Sequence, residues 1–153
     1  MNSIEFNYLR TVTQELLDSP LSYAFANPID PNEEWAPSYF QVIKHPMDIS
    51  TVLKKLNDGM YATAKDWYDD ITLIWNNAVT FNGKQSFLYP IVTFLRNKCE
   101  RKYERIPHTE TERNISKLNR AQKQLTQLLN FDLPAHSLVP LVDAEEMQYK
   151  PNM

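Results

Sequence analysis

Residues 20–48 read PLSYAFANPIDPNEEWAPSYFQVIKHPMD, and how this stretch behaves decides how the rest of the chain is assembled. Pro20, Pro28, Pro31, Pro37 and Pro46 make it too proline-dense for a regular helix, because each removes a backbone donor and fixes φ. Yet Tyr23, Phe25, Ile29, Trp35, Tyr39, Phe40, Val42 and Ile43 give it the apolar content of a core segment, so it must lie against something. A connection of about 28 residues stands far above the usual ~4 to 6, and such loops on compact domains are mostly functional. The stretch is expected to be an irregular, docked binding loop.

Helical patterns flank it. Before the loop, Ile4, Tyr8, Leu9, Val12, Leu16 and Leu17 recur at steps of three and four until Ser19-Pro20 stops them. After it, Asp48 is placed to cap a helix from Ile49 to about Asp58, with Ile49, Val52, Leu53 and Leu56 on one face and Gly59 as its left-handed stop. Thr63-Ala-Lys-Asp66 resembles a capping box and opens a third helix with the stripe Trp67, Tyr68, Ile71, Ile74, Trp75, Ala78 and Phe81, ending at the turn pair Asn82-Gly83. Ser86 is the expected cap of a fourth helix carrying Leu88, Ile91, Val92, Leu95, Cys99 and Tyr103, which Pro107 ends. Thr109 to Asn130 shows a fifth pattern, with Ile115, Leu118, Leu125, Leu128 and Leu129 interrupted by Gln122. From Phe131 onward Pro134, Pro140 and Pro151 break any period, so an irregular tail is expected. No alternating stretch is framed by hairpin turns. The class is all-α, with four main helices.

Composition narrows the chemistry. The 153 residues hold 42% hydrophobic and 12% aromatic side chains, enough for an ordinary core. One cysteine excludes an internal disulfide and cysteine-based zinc sites, and two isolated glycines exclude glycine-rich phosphate cradles. No secretory leader or membrane span is expected. With 16 Lys and Arg against 19 Asp and Glu, at most a weak contact with nucleic acid is expected. His45, His108 and His136 are scattered, with no paired nucleophile and no metal-ligand spacing, so neither catalysis, a metal nor a cofactor is expected. Arg96, Lys98, Arg101, Lys102 and Arg105 alternate with Glu100 and Glu104, as on a solvated face, and the adjacent Asp69 and Asp70 suit solvent or capping.

In an up-down bundle the first and third connections share one end, which places the proline-rich loop beside Asn82 and Leu88. A cleft there would have aromatic and aliphatic walls, one amide and one phenol. The run from Trp35 to Asp48, the following ISTVLKKL and Asn76-Asn-Ala-Val-Thr-Phe-Asn82 together resemble a bromodomain, over about residues 5 to 106. That resemblance implies a left-handed four-helix bundle that binds acetyl-lysine, mostly on histone tails, within a bromodomain at 1–107 followed by a helical extension and tail at 108–153.

Position by position, the resemblance makes Asn82 the amide donor to the acetyl carbonyl and Tyr39 the phenol that reaches the same oxygen through a water. It makes Phe25 and Ile29 the loop wall, Leu88 the gatekeeper and Phe81 a pocket neighbour of Asn82, with the Pro46-Met47 backbone helping to hold waters at the floor. Tyr23-Ala24-Phe25 stands where some members have Trp-Pro-Phe, so a tryptophan shelf is lacking. Glu34 and Ala36, aliphatic in some relatives, are expected to open the rim and make it more acidic, with Trp35 either a rim residue or a clamp on the loop. Phe40, Trp67 and Trp75 are expected in the core. The partners implied are an acetylated histone tail and, through the C-terminal helix, other subunits of a chromatin complex in the nucleus. The alternative is an architectural adaptor bundle whose pocket does not read acetyl-lysine.

Overall fold

The computed structural model describes residues 1–129, and the tail from Phe131 with its three prolines lies outside them. The described residues form α1 (Ser3–Leu17), a 3-10 helix (Pro20–Phe25), α2 (Ala36–Val42), α3 (Ile49–Asn57), α4 (Ala64–Asn82), α5 (Leu88–Tyr103) and α6 (Glu110–Leu129). They contain helices and no strands. The four long-range partners are α1, α3, α4 and α5: α4 lies against α5, α3 and α1, and α1 lies against α3. One compact unit ends at Asn114 and a second begins at Ile115.

Local chemistry sets the helix ends. Asn2 caps α1 by accepting from Ile4 and Glu5, while Glu5 accepts from the Asn2 backbone N–H. The expected box at Thr63 and Asp66 opens α4 in the same reciprocal way. Asp48 caps α3, accepting from the Thr51 N–H at 2.9 Å and from the hydroxyls of Ser50 and Thr51. At the other end of α3, Gly59 sits at φ +70°, the Gly59 N–H donates to Leu56 and the Met60 N–H to Lys55, a complete two-bond helix stop. Ser86 acts one residue earlier than a cap would, since Phe87 holds the cap position and the Ser86 hydroxyl accepts from the Leu88 N–H.

The loop is less irregular than its prolines suggest. Pro20 and Pro37 each occupy a first-turn position of a short helix, where the missing N–H would have had no intrahelical acceptor. Proline therefore starts these turns instead of breaking them.

Trp67, Trp75, Leu9, Leu16, Ile49, Leu56, Ile71 and Leu95 fill the core. The buried Trp67 indole N–H donates to the Thr13 hydroxyl at 2.9 Å, and that hydroxyl donates to the Leu9 carbonyl, so α4 and α1 are joined with both polar groups satisfied. Asp70 pairs with Lys55 and accepts from the Tyr61 hydroxyl, which makes it a tie between α3 and α4 and not the solvent-facing or capping residue expected; Asp69 pairs with Lys65 on the surface. Across α1 and α5, Lys102 pairs with Glu15 at 2.9 Å, and the Tyr68 and Tyr103 rings stack 4.2 Å apart between α4 and α5.

Candidate functional site

The loop and the end of α4 meet through aromatic rings. Tyr39, on α2 and only 6% exposed, stands edge-on to Phe81 with centroids 5.1 Å apart. Trp35 lies 6.0 Å from Phe81 and 6.2 Å from Tyr39, so two rings of the loop close on Phe81, the residue before Asn82. Trp35 remains 45% exposed while its ring meets Tyr39 and Phe81, so it clamps the loop and still faces solvent. Edge-on pairs of this kind add a modest stabilisation to the burial itself.

Asn82 ends α4, with Gly83 at φ +76° turning the chain away. A side chain at Gly83 would have open space but a disfavoured backbone, so glycine is used there for conformation. The Asn82 side-chain NH2 donates to the Ala78 carbonyl at 2.9 Å. One of its two hydrogens is used in fixing the amide plane and the second is left for an acceptor. The amide is thus anchored through its NH2 group. Asn82 is exposed.

Burial, and secondarily the Asp48 carboxylate, holds the Tyr39 phenol above its ordinary value of 10. It is therefore a neutral O–H donor at physiological pH. Asp48 is itself buried, and its role at the start of α3 explains why the loop ends where it does.

Phe25 closes the 3-10 helix edge-on to Trp75, with centroids 5.4 Å apart, so its ring is anchored in the core. The Ser50 N–H donates to the Ala26 carbonyl at 2.9 Å and ties this turn to α3. Ile29 on the loop and Leu88 at the start of α5 are half-buried. The ring contacts join Tyr39, Trp35 and Phe81 directly, and join Phe25 to the bundle core through Trp75.

Two expectations fail here for one reason. Ala36, expected at the rim, is 0% exposed, whereas Phe40, expected in the core, is 38% exposed. Because residues 36–42 form α2, the inward face is Ala36, Tyr39 and Ile43 at steps of three and four, and Phe40 is rotated off it. Glu34 does lie exposed beside Trp35, with Glu33 and Asp30 exposed on the same loop.

One positioning residue escaped the sequence. Asn77 is buried on α4, and its side-chain NH2 donates to the His45 carbonyl at 2.8 Å, holding the backbone just before Pro46-Met47. The signal was present as an amide inside an otherwise apolar helical face, where a buried polar group needs a partner. Cys99 is buried on α5 with its thiol pushed up to about 12 by burial, so it stays protonated at neutral pH.

Comparison with known proteins gives a concordant picture. The family model described as Bromodomain matches residues 9–93. An ankyrin repeat, bromo and BTB domain-containing protein of Dictyostelium discoideum is 35% identical over 103 residues, covering 67% of this chain and 13% of that protein. The SWR1 complex bromodomain subunit of Schizosaccharomyces pombe is 34% identical over 109 residues, 69% of this chain and 19% of the relative. Bromodomain-containing factor 1 of Saccharomyces cerevisiae is 38% identical over 78 residues, 49% of this chain and 11% of the relative. The chain thus spans less than a fifth of the length of each of these relatives. Since one family model runs unbroken through the aromatic loop, the Asp48 cap and the Asn82 end of α4, the chain belongs to the bromodomain family.

Proposed function

We propose that this chain is a reader of acetyl-lysine, taking the modified side chain between the 20–48 loop and the Asn82 end of α4, and that its ligands are acetylated histone tails or other acetylated nuclear proteins. The observation that carries the reading is the Asn82 amide at the end of α4, fixed through one hydrogen by Ala78 with the second left for an acceptor, directly after Phe81, whose ring meets Trp35 and Tyr39 of the loop.

The chemistry follows from charge. Unmodified lysine carries a hydrated ammonium, and moving that ion into an apolar slot without a partner costs several kcal/mol. Acetylation removes the charge and leaves an amide whose carbonyl needs one donor. Asn82 supplies it directly, and the neutral Tyr39 hydroxyl supplies a second donor through water, while Phe25, Ile29 and Leu88 line the apolar part. Trp35 and Glu34 form the rim. A contact through one small side chain is weak, with a dissociation constant of ~10 to 1000 μM for a peptide.

One relative is named as a bromodomain subunit of the SWR1 complex and another as a bromodomain-containing factor. By analogy this chain acts in the nucleus, bringing a chromatin complex to acetylated sites. The test is an NMR titration of labelled protein with an acetylated histone-tail peptide, its unmodified twin and the Asn82→Ala variant. The expected result is shifts at Asn82, Tyr39 and Leu88 with the acetylated peptide alone, lost in the variant. Equal shifts with both peptides, or none across several acetylated tails, would overturn the reading.

A further inference from the structure

α6 carries an apolar face of its own. Glu110–Leu129 is one continuous helix with no buried residue, and its apolar side chains stay in solvent, Leu118 at 68% exposure. The order of those side chains is specific. Ile115, Leu118, Gln122, Leu125 and Leu129 follow one another at steps of three, four, three and four, which is the a/d spacing of a coiled-coil heptad.

In heptad lettering Ile115, Gln122 and Leu129 fall at a, and Leu118 and Leu125 at d. A β-branched residue at a with leucine at d favours two parallel strands, and one polar residue at an a position fixes their register. Gln122 fits one occupant in particular. Its side chain carries both a donor and an acceptor, so an identical Gln122 opposite it completes both in a parallel, in-register pair, whereas an apolar partner would leave them unmet.

The uncharged flanks of the seam admit a second copy. The positions that flank the seam, Asn119, Ala121, Thr126 and Leu128, carry no charge, so two identical helices meet there without like-charge contact. Lys117, Arg120 and Lys123 fall at the outward c, f and b positions, where they remain in water. The flanking carboxylate at the start of α6, Glu112, is engaged by the His108 backbone N–H at 2.8 Å.

We infer that α6 pairs with α6 of a second copy of this chain as a short, parallel, in-register coiled coil. The proposal is independent of the ligand proposed above, and its test needs no peptide.

Sedimentation equilibrium of the full chain from about 5 to about 500 μM should show a reversible monomer–dimer equilibrium, because association of so short a seam depends on concentration. The double variant Leu118→Glu, Leu125→Glu should weaken dimerisation at least about tenfold. Its thermal midpoint in dilute solution should equal that of the unaltered protein, because both side chains are already exposed. Ile115→Cys should yield a disulfide-linked dimer in a glutathione redox buffer, as only a parallel, in-register pair sets position 115 against itself; buried Cys99 in the unaltered chain serves as the control. A monomer at every concentration, a dimer that survives the double variant, a trimer or tetramer, or an Ile115→Cys protein that does not cross-link would each overturn the inference.

Discussion

α4 and α6 are nearly the same length, 19 and 20 residues, and both repeat apolar side chains at helical spacing, yet α4 buries six residues and α6 none. The difference lies in what each stripe is made of. α4 carries two tryptophans and two isoleucines into the core, sends the Trp67 indole N–H to Thr13, and lies against α1, α3 and α5. α6 offers separated leucines with an amide in their midst. Periodicity therefore identifies a helix and its apolar side, while the bulk of the side chains on it separates the stripe of α4, which fills the core of its unit, from that of α6.

The sharpest way to break the comparison is to truncate one residue on each helix. Trp67→Ala should lower unfolding free energy by about 3 to 5 kcal/mol, since it empties a fully buried site and removes the hydrogen bond that the Thr13 hydroxyl accepts. Leu125→Ala should change it by less than about 0.5 kcal/mol in dilute solution, as surface substitutions do. Urea unfolding followed by circular dichroism measures both, and equal losses would contradict the contrast drawn between the two helices.

The next effect separates binding from stability at the exposed end of α4. Asn82→Ala should reduce affinity for an acetylated peptide by about tenfold to a hundredfold, the cost of ~1 to 3 kcal/mol for an acetyl oxygen left without its direct donor, with the urea midpoint nearly unchanged. Calorimetric titration reads this. Tyr39→Phe removes only a hydroxyl that acts through water, so a smaller loss of about threefold to tenfold is expected, again with the fold intact.

The smallest effect is at the start of α1. Glu5 accepts a hydrogen bond from His108 and another from the Asn2 N–H, and these hold its carboxyl below the ordinary 4.5. A folded value below the unfolded one contributes stability that is fully present above about pH 4.5 and is lost as pH falls through the folded value. Glu5→Ala should therefore cost less than about 1 kcal/mol at neutral pH, with the difference from the unaltered protein shrinking under acid. Urea midpoints compared at pH 7 and about pH 3 check the sign.

These contrasts also explain what could be read without a structure. Asp48, Thr63 with Asp66, and Gly59 were legible because caps and stops act within a few residues of sequence. The resemblance supplied Asn82, Tyr39 and Phe25 as site candidates, and the structure adds their surroundings: Tyr39 and Phe81 in ring contact, Phe25 against Trp75, and the Asn82 amide turned to Ala78. Ala36 and Phe40 were exchanged because α2 was hidden behind Pro37, and without a helix there is no three-and-four spacing to assign an inward face. The Asn77 bond to His45 and the Asp70 pairing with Lys55 and Tyr61 join residues separated in the chain, so a local pattern could mark Asn77 as an amide on an apolar face but could name none of these partners.

The most direct test of the central claim is an isotope-filtered NOE experiment on labelled protein with an unlabelled acetylated histone-tail peptide. The account predicts contacts from the acetyl methyl group to the side chains of Phe25, Ile29 and Leu88, since these line the apolar part of the proposed slot below Asn82. Contacts from the acetyl methyl to any other face of the bundle, with none to these three residues, would contradict it.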